Sequence, residues 1–475
     1  MEKKLFILHT NDIHSFFEQM PKIASVIDQR KAEHSQDEVL VIDCGDHMDR
    51  MRMETEGTCG LANIEGMNET GYEIAVLGNN EGLTFTADII AEAYGNHARF
   101  TVLGSNFYDM ASQSIPPWLA PYHIVEKNGI RIGLIGVTAN FTVFYEQLGW
   151  DVRDPMAVTK ELVRKLRPQA DIIVVISHLG LPNDQHMAEE IPGIDCIFGG
   201  HTHHLLTEPL RIGDTYIFGA GKFGKYVGEA EIHFDAERRV ITSVSGRCID
   251  VDPYPSAARI VRTIARNRAL SKENLSEAVA WLRQPLEIDW RGESPLGNLL
   301  AAGIKNWTQA EIGIVNAGQI LYGLNTGEIT REMLLKVCPS PINPCRMWVT
   351  GRQIWKALEE SLLPEFVDKA IRGFGFRGQV LGTLCLDGLH VEYDPTRKSY
   401  EKITGIWVNG QSLDKEREYL VGTIDMFTFG VGYTSLQAGR DLRFYLPEFI
   451  RDILQKQLQN QKEIARVNEI HWLKR

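Results

Sequence analysis

The first half of this 475-residue chain repeats one unit: a short, almost continuously apolar run that ends in a polar cluster, followed by a stretch of helical period. The runs fall at residues 5–10, 39–43, 74–77, 100–103, 132–137, 172–177, 196–199 and 216–220. Runs that are apolar throughout, rather than alternating, suit strands covered on both faces. Helical patterns at 22–30, 85–94 and 158–166 lie between them, so the layout is α/β. Residues 229–234 and 240–246 read as an antiparallel hairpin around Asp235-Ala236-Glu237.

Asp252-Pro253-Tyr254-Pro255 breaks this pattern, and Ser256 is a candidate N-cap for a helix running to about residue 270. Beyond it, helices and shorter strands mix in an α+β pattern. The expected organisation is a first domain over 1–252, a connecting helix over 253–275 and a second domain over 276–475. No internal repeat or low-complexity tract interrupts it.

Composition narrows the function classes. The chain is 44% hydrophobic and 24% charged, as an ordinary globular protein is, and carries a net charge of −12. That charge argues against coating nucleic acid or anionic lipid. Residues 5–8 are too few for a signal-peptide core, and no run approaches a membrane span, so a cytoplasmic location is expected. The seven cysteines are scattered with no Cys-x-x-Cys pair, as reduced structural thiols would be.

The polar clusters carry the chemistry. Asp12 and His14 follow the first run, Asp43-Cys44-Gly45-Asp46 the second and Gly78-Asn79-Asn80-Glu81 the third. Ser177-His178 ends the run at 172–177, and Gly199-Gly200-His201-Thr202-His203-His204 ends that at 196–199. In open α/β sheets the ligand crevice lies at the carboxyl ends of strands. Carboxylates, imidazoles and an amide gathered there suit a pair of divalent ions, with Mn, Zn, Fe and Co all compatible with such donors. A carboxylate such as Asp46 can bridge two ions. Singly, each cluster reads equally well as turn chemistry or a hydrogen-bonded core histidine. Five in succession, each ending an apolar run, point to a site.

Together these residues resemble the calcineurin-like metallophosphoesterases, and more narrowly the 5′-nucleotidase/UDP-sugar hydrolase/2′,3′-cyclic phosphodiesterase group. The carrying motifs are 8–14, Gly45-Asp46, Gly78-Asn79-Asn80-Glu81, Ser177-His178 and Gly200-His201-Thr202-His203. Glu293-Ser294-Pro295-Leu296-Gly297-Asn298-Leu299, Asn316-Ala317-Gly318 and Thr350-Gly351 resemble the group's C-terminal nucleotide-binding domain. The resemblance implies a metallophosphoesterase sandwich of two sheets flanked by helices, followed by an α+β 5′-nucleotidase-type domain. It implies that Asp12, His14, Asp46 and His203 hold one metal, and Asp46, Asn79, His178 and His201 the other. It also implies metal-dependent hydrolysis of a nucleotide or related phosphate ester, with the base or sugar on Asn316, Gly318 and neighbouring residues of the second domain.

The chain departs from the group at several points. The group's Gly-Asn-His-Glu/Asp motif, with an Asp three residues beyond the His, has Asn80 and Leu83 at those two places. Losing a positioned acid costs roughly 10²–10⁴-fold in rate. Asn80 itself, His204 and His47 are the candidates to stand in. Leaving groups that depart without a proton suffer least, which favours pyrophosphate-linked or cyclic nucleotides. Leu321 occupies the position of a usual Arg, Val431 that of a sugar-contacting Asp, and residues 340–344 lack the usual stacking aromatic. Phe427 and Phe429 would stack a base or belong to the core, and Arg291 would meet a phosphate or form a local ion pair. Two other readings stand beside the hydrolase: a catalytically impaired nucleotide- and metal-binding regulatory protein, and a hydrolase of a non-nucleotide ester. Oligomeric state is not legible.

Overall fold

The computed structural model describes residues 2–475, which form two compact units divided between residues 271 and 272.

The first unit is a sandwich of two six-stranded sheets. One runs in the order Val240–Asp250, Tyr226–Asp235, Glu2–Thr10, Val39–Asp43, Ile74–Val76, Thr101–Leu103. The other runs Leu210–Ile212, Thr215–Phe218, Cys196–Gly199, Ile172–His178, Ile130–Thr138, His123–Lys127. The central strands pair in parallel: Phe6 sits opposite Val39, Ile42 opposite Ile74, and Cys196 opposite Val174. The hairpin of 226–250 is antiparallel. Unbroken apolar runs now have their reason. Leu5, Ile7, Leu40 and Ile42 face the other sheet and meet Ile172, Val174 and Ile176 in one cluster. The alternate residues Phe6, Leu8, Val39 and Val41 face helices on the outer side, as do Ile173 and Val175 of the second sheet. Each fully buried side chain of this kind contributes about 1.5–3 kcal/mol, so the strand ends that carry the polar clusters stand on the firmest part of the fold.

Helix Ala258–Asn274 extends four residues past its expected end. Most of it belongs to the first unit: Arg259 pairs with Asp28, Arg268 with Glu54, and Ser271 Oγ donates to the Glu54 carbonyl. Ile260 is buried with Phe17 and Met20.

The second unit holds a five-stranded sheet in the order Leu384–Asp387, Ile312–Asn316, Glu418–Ile424, Pro344–Thr350, Arg440–Phe444. Helix Pro295–Thr308 packs on it through Leu299, Leu300 and Ile304. A four-stranded sheet ends in the strand Trp472–Lys474, parallel to Leu389–Tyr393. Glu293 secures that terminal strand, accepting from the Trp472 and His471 amides and from His471 Nδ1 at 2.8 Å. Among the described residues no helix is long and apolar enough to cross a membrane.

His471 is nearly enclosed between Glu293 and Asp387, with Lys305 and Arg466 on the far side of Asp387 and the His390 ring stacked on its own. Burial opposes its charge, but hydrogen bonds to the two carboxylates outweigh it and raise its pKa to about 9. A raised folded-state value means stability fully present below about pH 6.5, the ordinary value, and lost as pH rises through 9. The urea midpoint of the second unit should therefore fall between pH 6.5 and 9.5, and His471→Gln should flatten that dependence.

Candidate metal centre

Five chain segments deliver the expected ligands to one end of the sandwich. Each begins where a parallel strand stops, and the backbone turns sharply there. Asp12, His14, Asp46, His201 and His203 all have φ between 48° and 73°, a left-handed conformation uncommon for residues with a Cβ. Such residues cost about 1–3 kcal/mol each and persist where the surroundings over-determine them. Here the surroundings are hydrogen bonds between the loops: Asp12 N donates to the Gly45 carbonyl, His14 N to that of Asp46 and Ser15 N to that of His47. Gly45 allows the closest approach, since a Cβ there would lie 2.8 Å from His178 Nδ1 and its φ is +89°.

The side chains converge in two groups that share Asp12: Asp12, His14 and His203 in one, and Asp12, Asp46 and His178 in the other. His203 Nε2 lies 3.3 Å from Asp12 Oδ1 and 3.2 Å from His14 Nε2. Asp46 faces both ways, with Oδ1 3.3 Å from His178 Nε2 and Oδ2 3.9 Å from His14 Nε2. His201 Nδ1 meets Asn79 Oδ1 at 2.8 Å, beside the His178 ring. All seven residues expected as ligands thus lie in one cluster.

The electrostatics fit cations. Burial penalises both members of the Asp46–His178 pair, but their mutual attraction outweighs it, holding Asp46 below the usual carboxylate range and His178 above the usual imidazole range. Burial also opposes ionisation of Asp12, yet the His203 contact and His178 keep its pKa low. Burial pushes His201 down to about 4. His178 Nδ1 lies 2.7 Å from the Cys44 carbonyl, which fixes the ring and turns Nε2 toward Asp46 Oδ1 at 3.3 Å. A ring anchored at one nitrogen by a backbone carbonyl, with the other aimed into a cluster of carboxylates and imidazoles, suits a metal-ligating histidine. Two buried carboxylates with four imidazoles and an amide fit a pair of divalent ions.

A second set of side chains holds these in place. Glu81, fully buried, accepts from the amides of Asp46, Met48 and Gly78 and so ties the second polar loop to the third. Asp43 accepts from Thr10 Oγ1 at 2.6 Å and Gly45 N at 3.0 Å. Beneath His14, Ser15 Oγ gathers Asp49 N, Thr55 Oγ1 and Asn63 Nδ2. Glu81 and Asp43 stood inside the sequence clusters without an assigned role; their acceptor count is set by loop proximity, which no local pattern reveals.

The expected catalytic candidates stand apart from one another. Asn80 N donates to Asp46 Oδ1 at 2.8 Å, while its side-chain amide donates to the Met48 carbonyl and lies 3.0 Å from His14 Nδ1. His204 is exposed, with Nδ1 2.8 Å from Thr202 Oγ1. His47 is buried, with Asn63 Nδ2 at 3.1 Å from its Nδ1.

In the second unit Arg291 pairs with Asp368 at 2.7 Å, the local ion pair of its two readings. Asn316 is buried and donates to the Leu381 carbonyl. A Cβ at Gly318 would fall 1.9 Å from the Val380 carbonyl, so that glycine serves close backbone packing. Phe427 is fully buried in the core against Tyr433. Phe429 is 41% exposed and stacks on Phe374, itself 53% exposed, at 6.1 Å. Sequence reasoning missed Phe374; its signal is the run Gly373-Phe374-Gly375-Phe376, where both glycines and Phe374 have positive φ.

Replacing Asp46 with Asn should lower the metal content of the purified protein, and turnover by at least about 10²-fold. Elemental analysis together with a steady-state assay would check both.

Known proteins are similar to this chain along most of its length. Residues 6–205 match the family described as calcineurin-like phosphoesterase, and residues 276–437 match the 5′-nucleotidase C-terminal domain. The metallophosphoesterase YunD of Bacillus subtilis (strain 168) is 38% identical over 458 residues, spanning 96% of this chain and 99% of that protein. A 5′-nucleotidase of Vibrio cholerae is 27% identical over 400 residues, 71% of each chain. Among solved structures, the NAD nucleotidase of Haemophilus influenzae superposes with a TM-score of 0.69 at 17% identity, covering 100% of this chain and 97% of that one. The sulfate thiohydrolase SoxB of Thermus thermophilus does so with 0.57 at 19%, covering 99% and 95%. At these identities the two superpositions show a common fold.

Proposed function

This chain belongs to the calcineurin-like phosphoesterases that carry a 5′-nucleotidase C-terminal domain, and from that premise we propose that it hydrolyses nucleotide phosphate esters at two divalent ions, favouring pyrophosphate-linked or cyclic nucleotides. That it is a phosphoester hydrolase of a metal-using family follows from the family itself. The substrate, the ion pair and the roles below are the proposal. It rests chiefly on Asp46, whose two carboxylate oxygens face His178 and His14 separately, as a bridge between two cations requires.

On this reading Asp12, His14, Asp46 and His203 hold one ion, and Asp46, Asn79, His178 and His201 the other. Bound by these residues, divalent ions would supply an activated water and positive charge against the phosphoryl group. The chain's own work is positional. The Cys44 carbonyl fixes the His178 ring, and Glu81 keeps the Asp46 loop against the Asn79 loop. Asn80 directs its side-chain amide at His14 and Met48, so it orients a ligand and brings no proton to a leaving group. That arrangement supports substrates whose leaving group departs as a stable anion. In the second unit, the exposed Phe374–Phe429 pair offers a stacking face that tolerates any base.

The engagement of Asn80 also favours one other reading, a nucleotide-binding regulatory protein without turnover. A panel of nucleoside monophosphates, diphosphates, dinucleotides and cyclic nucleotides, assayed with Mn²⁺, Zn²⁺ or Co²⁺, separates the two. The hydrolase predicts EDTA-sensitive turnover led by pyrophosphate-linked or cyclic members. Binding of any member without turnover contradicts it.

Asn80→His with Leu83→Asp should raise turnover of alkoxide-leaving monophosphates by about 10²-fold or more, and that of pyrophosphate-linked substrates much less. An equal gain on both would contradict the role given to Asn80.

A further inference from the structure

The segment 220–224, Ala220-Gly221-Lys222-Phe223-Gly224, is clamped onto the loop that carries Asp12 and His14. Asn11 holds it at both ends of its amide: Nδ2 donates to the Gly221 carbonyl at 2.6 Å, and Oδ1 accepts from Ala220 N at 2.9 Å. Phe223 N donates to the Asp12 carbonyl at 2.8 Å. Phe223 has a φ of +62°, and a bulky side chain in that region is a true outlier. Observed strain of this kind is a ground for seeking function. A plain turn would be met by glycine, as Gly224 meets it at the next position with φ +63°.

The strain fixes an aromatic ring beside a metal-site histidine. The Phe223 ring stacks on Phe16 at 4.2 Å and 27°, and its centroid lies 5.8 Å from that of His14. Lys222 Nζ rests over the Phe223 ring, 4.6 Å from its centre. The ammonium is therefore one ring away from His14. A second cation, Arg52, stands over Phe16 at 5.8 Å but is committed to Glu18. Lys222 is exposed and forms no ion pair among the described residues.

We propose that Lys222, held over the strained Phe223, is a substrate-binding cation for the anionic group next to the scissile phosphate, namely the second phosphate of a pyrophosphate-linked substrate. The proposal rests on the reading above, in which the reacting phosphate sits among Asp12, Asp46 and the histidines. Phosphates in a pyrophosphate link share one bridging oxygen, so the second lies next to the ligand cluster, of which His14 is the member beside the Phe223 ring. Lysine suits this place because its ammonium is a point charge with three rotatable donors. Cation–π contact holds the ammonium over the Phe223 ring, one ring from His14.

The test compares the metal-loaded full chain as wild type, Lys222→Gln and Lys222→Arg. Inorganic pyrophosphate and inorganic phosphate are titrated calorimetrically, and KM is measured for a nucleoside diphosphate and its monophosphate. Loss of one charge-assisted contact should lower the preference for pyrophosphate over phosphate by about tenfold in Lys222→Gln. The KM ratio should shift the same way, and Lys222→Arg should recover most of the preference. An unchanged preference, or an equal loss for both anions, would overturn the assignment. The calorimetric arm decides on Lys222 even without turnover. Absence of turnover in the wild type would instead count against the hydrolase reading.

Discussion

The Asp46 carboxylate is the point on which the first unit converges. It belongs to a loop of one sheet, yet one of its oxygens faces His178 at the end of a strand of the other sheet, and the second faces His14. Asp12 lies close by and is buried too. Two carboxylates sharing an enclosed space repel each other, and removing an ion from water costs several kcal/mol even after relaxation. Imidazoles offset part of that cost, and divalent cations offset far more. The left-handed backbone at five of the seven positions carries a further cost. Burial of the strands beneath, with Leu5, Ile7, Ile42 and Ile176 in one cluster, is what makes such a site sustainable.

This also resolves the chain's acidic balance. A net charge of −12 would deter an anionic substrate from binding a bare protein surface. Bound cations reverse the local sign, since in such sites they are the largest charges present. The sequence therefore places acid where metal is needed. In the role proposed for it, Lys222 over the Phe223 ring adds one more positive charge beside that region.

The α/β layout and the polar clusters were legible in the sequence because their signal is local, whereas the two-sheet sandwich and the seven-residue ligand set came with the resemblance. Each cluster follows a run that is apolar throughout, and such a run needs cover on both faces. What holds them was less legible, since Glu81 accepts from Asp46 and Met48, more than thirty residues away, and Asn11 grips 220–221 from across the sheet. Such contacts depend on which loops meet, which periodicity does not encode. The second unit shows the same limit. Phe427 and Phe429 lie two residues apart and look alike in sequence, yet one is fully buried and the other turns outward to Phe374. Glu293 reads as part of a nucleotide-binding motif and is spent on fastening the terminal strand.

In the proposed function Asp46 joins two ions into one centre. Electron paramagnetic resonance of the Mn²⁺-loaded protein addresses it without reliance on any substrate. The account predicts a spin-coupled pair at two equivalents of Mn²⁺. A signal that stays that of isolated Mn²⁺ at saturation, with one ion bound per chain, would contradict it.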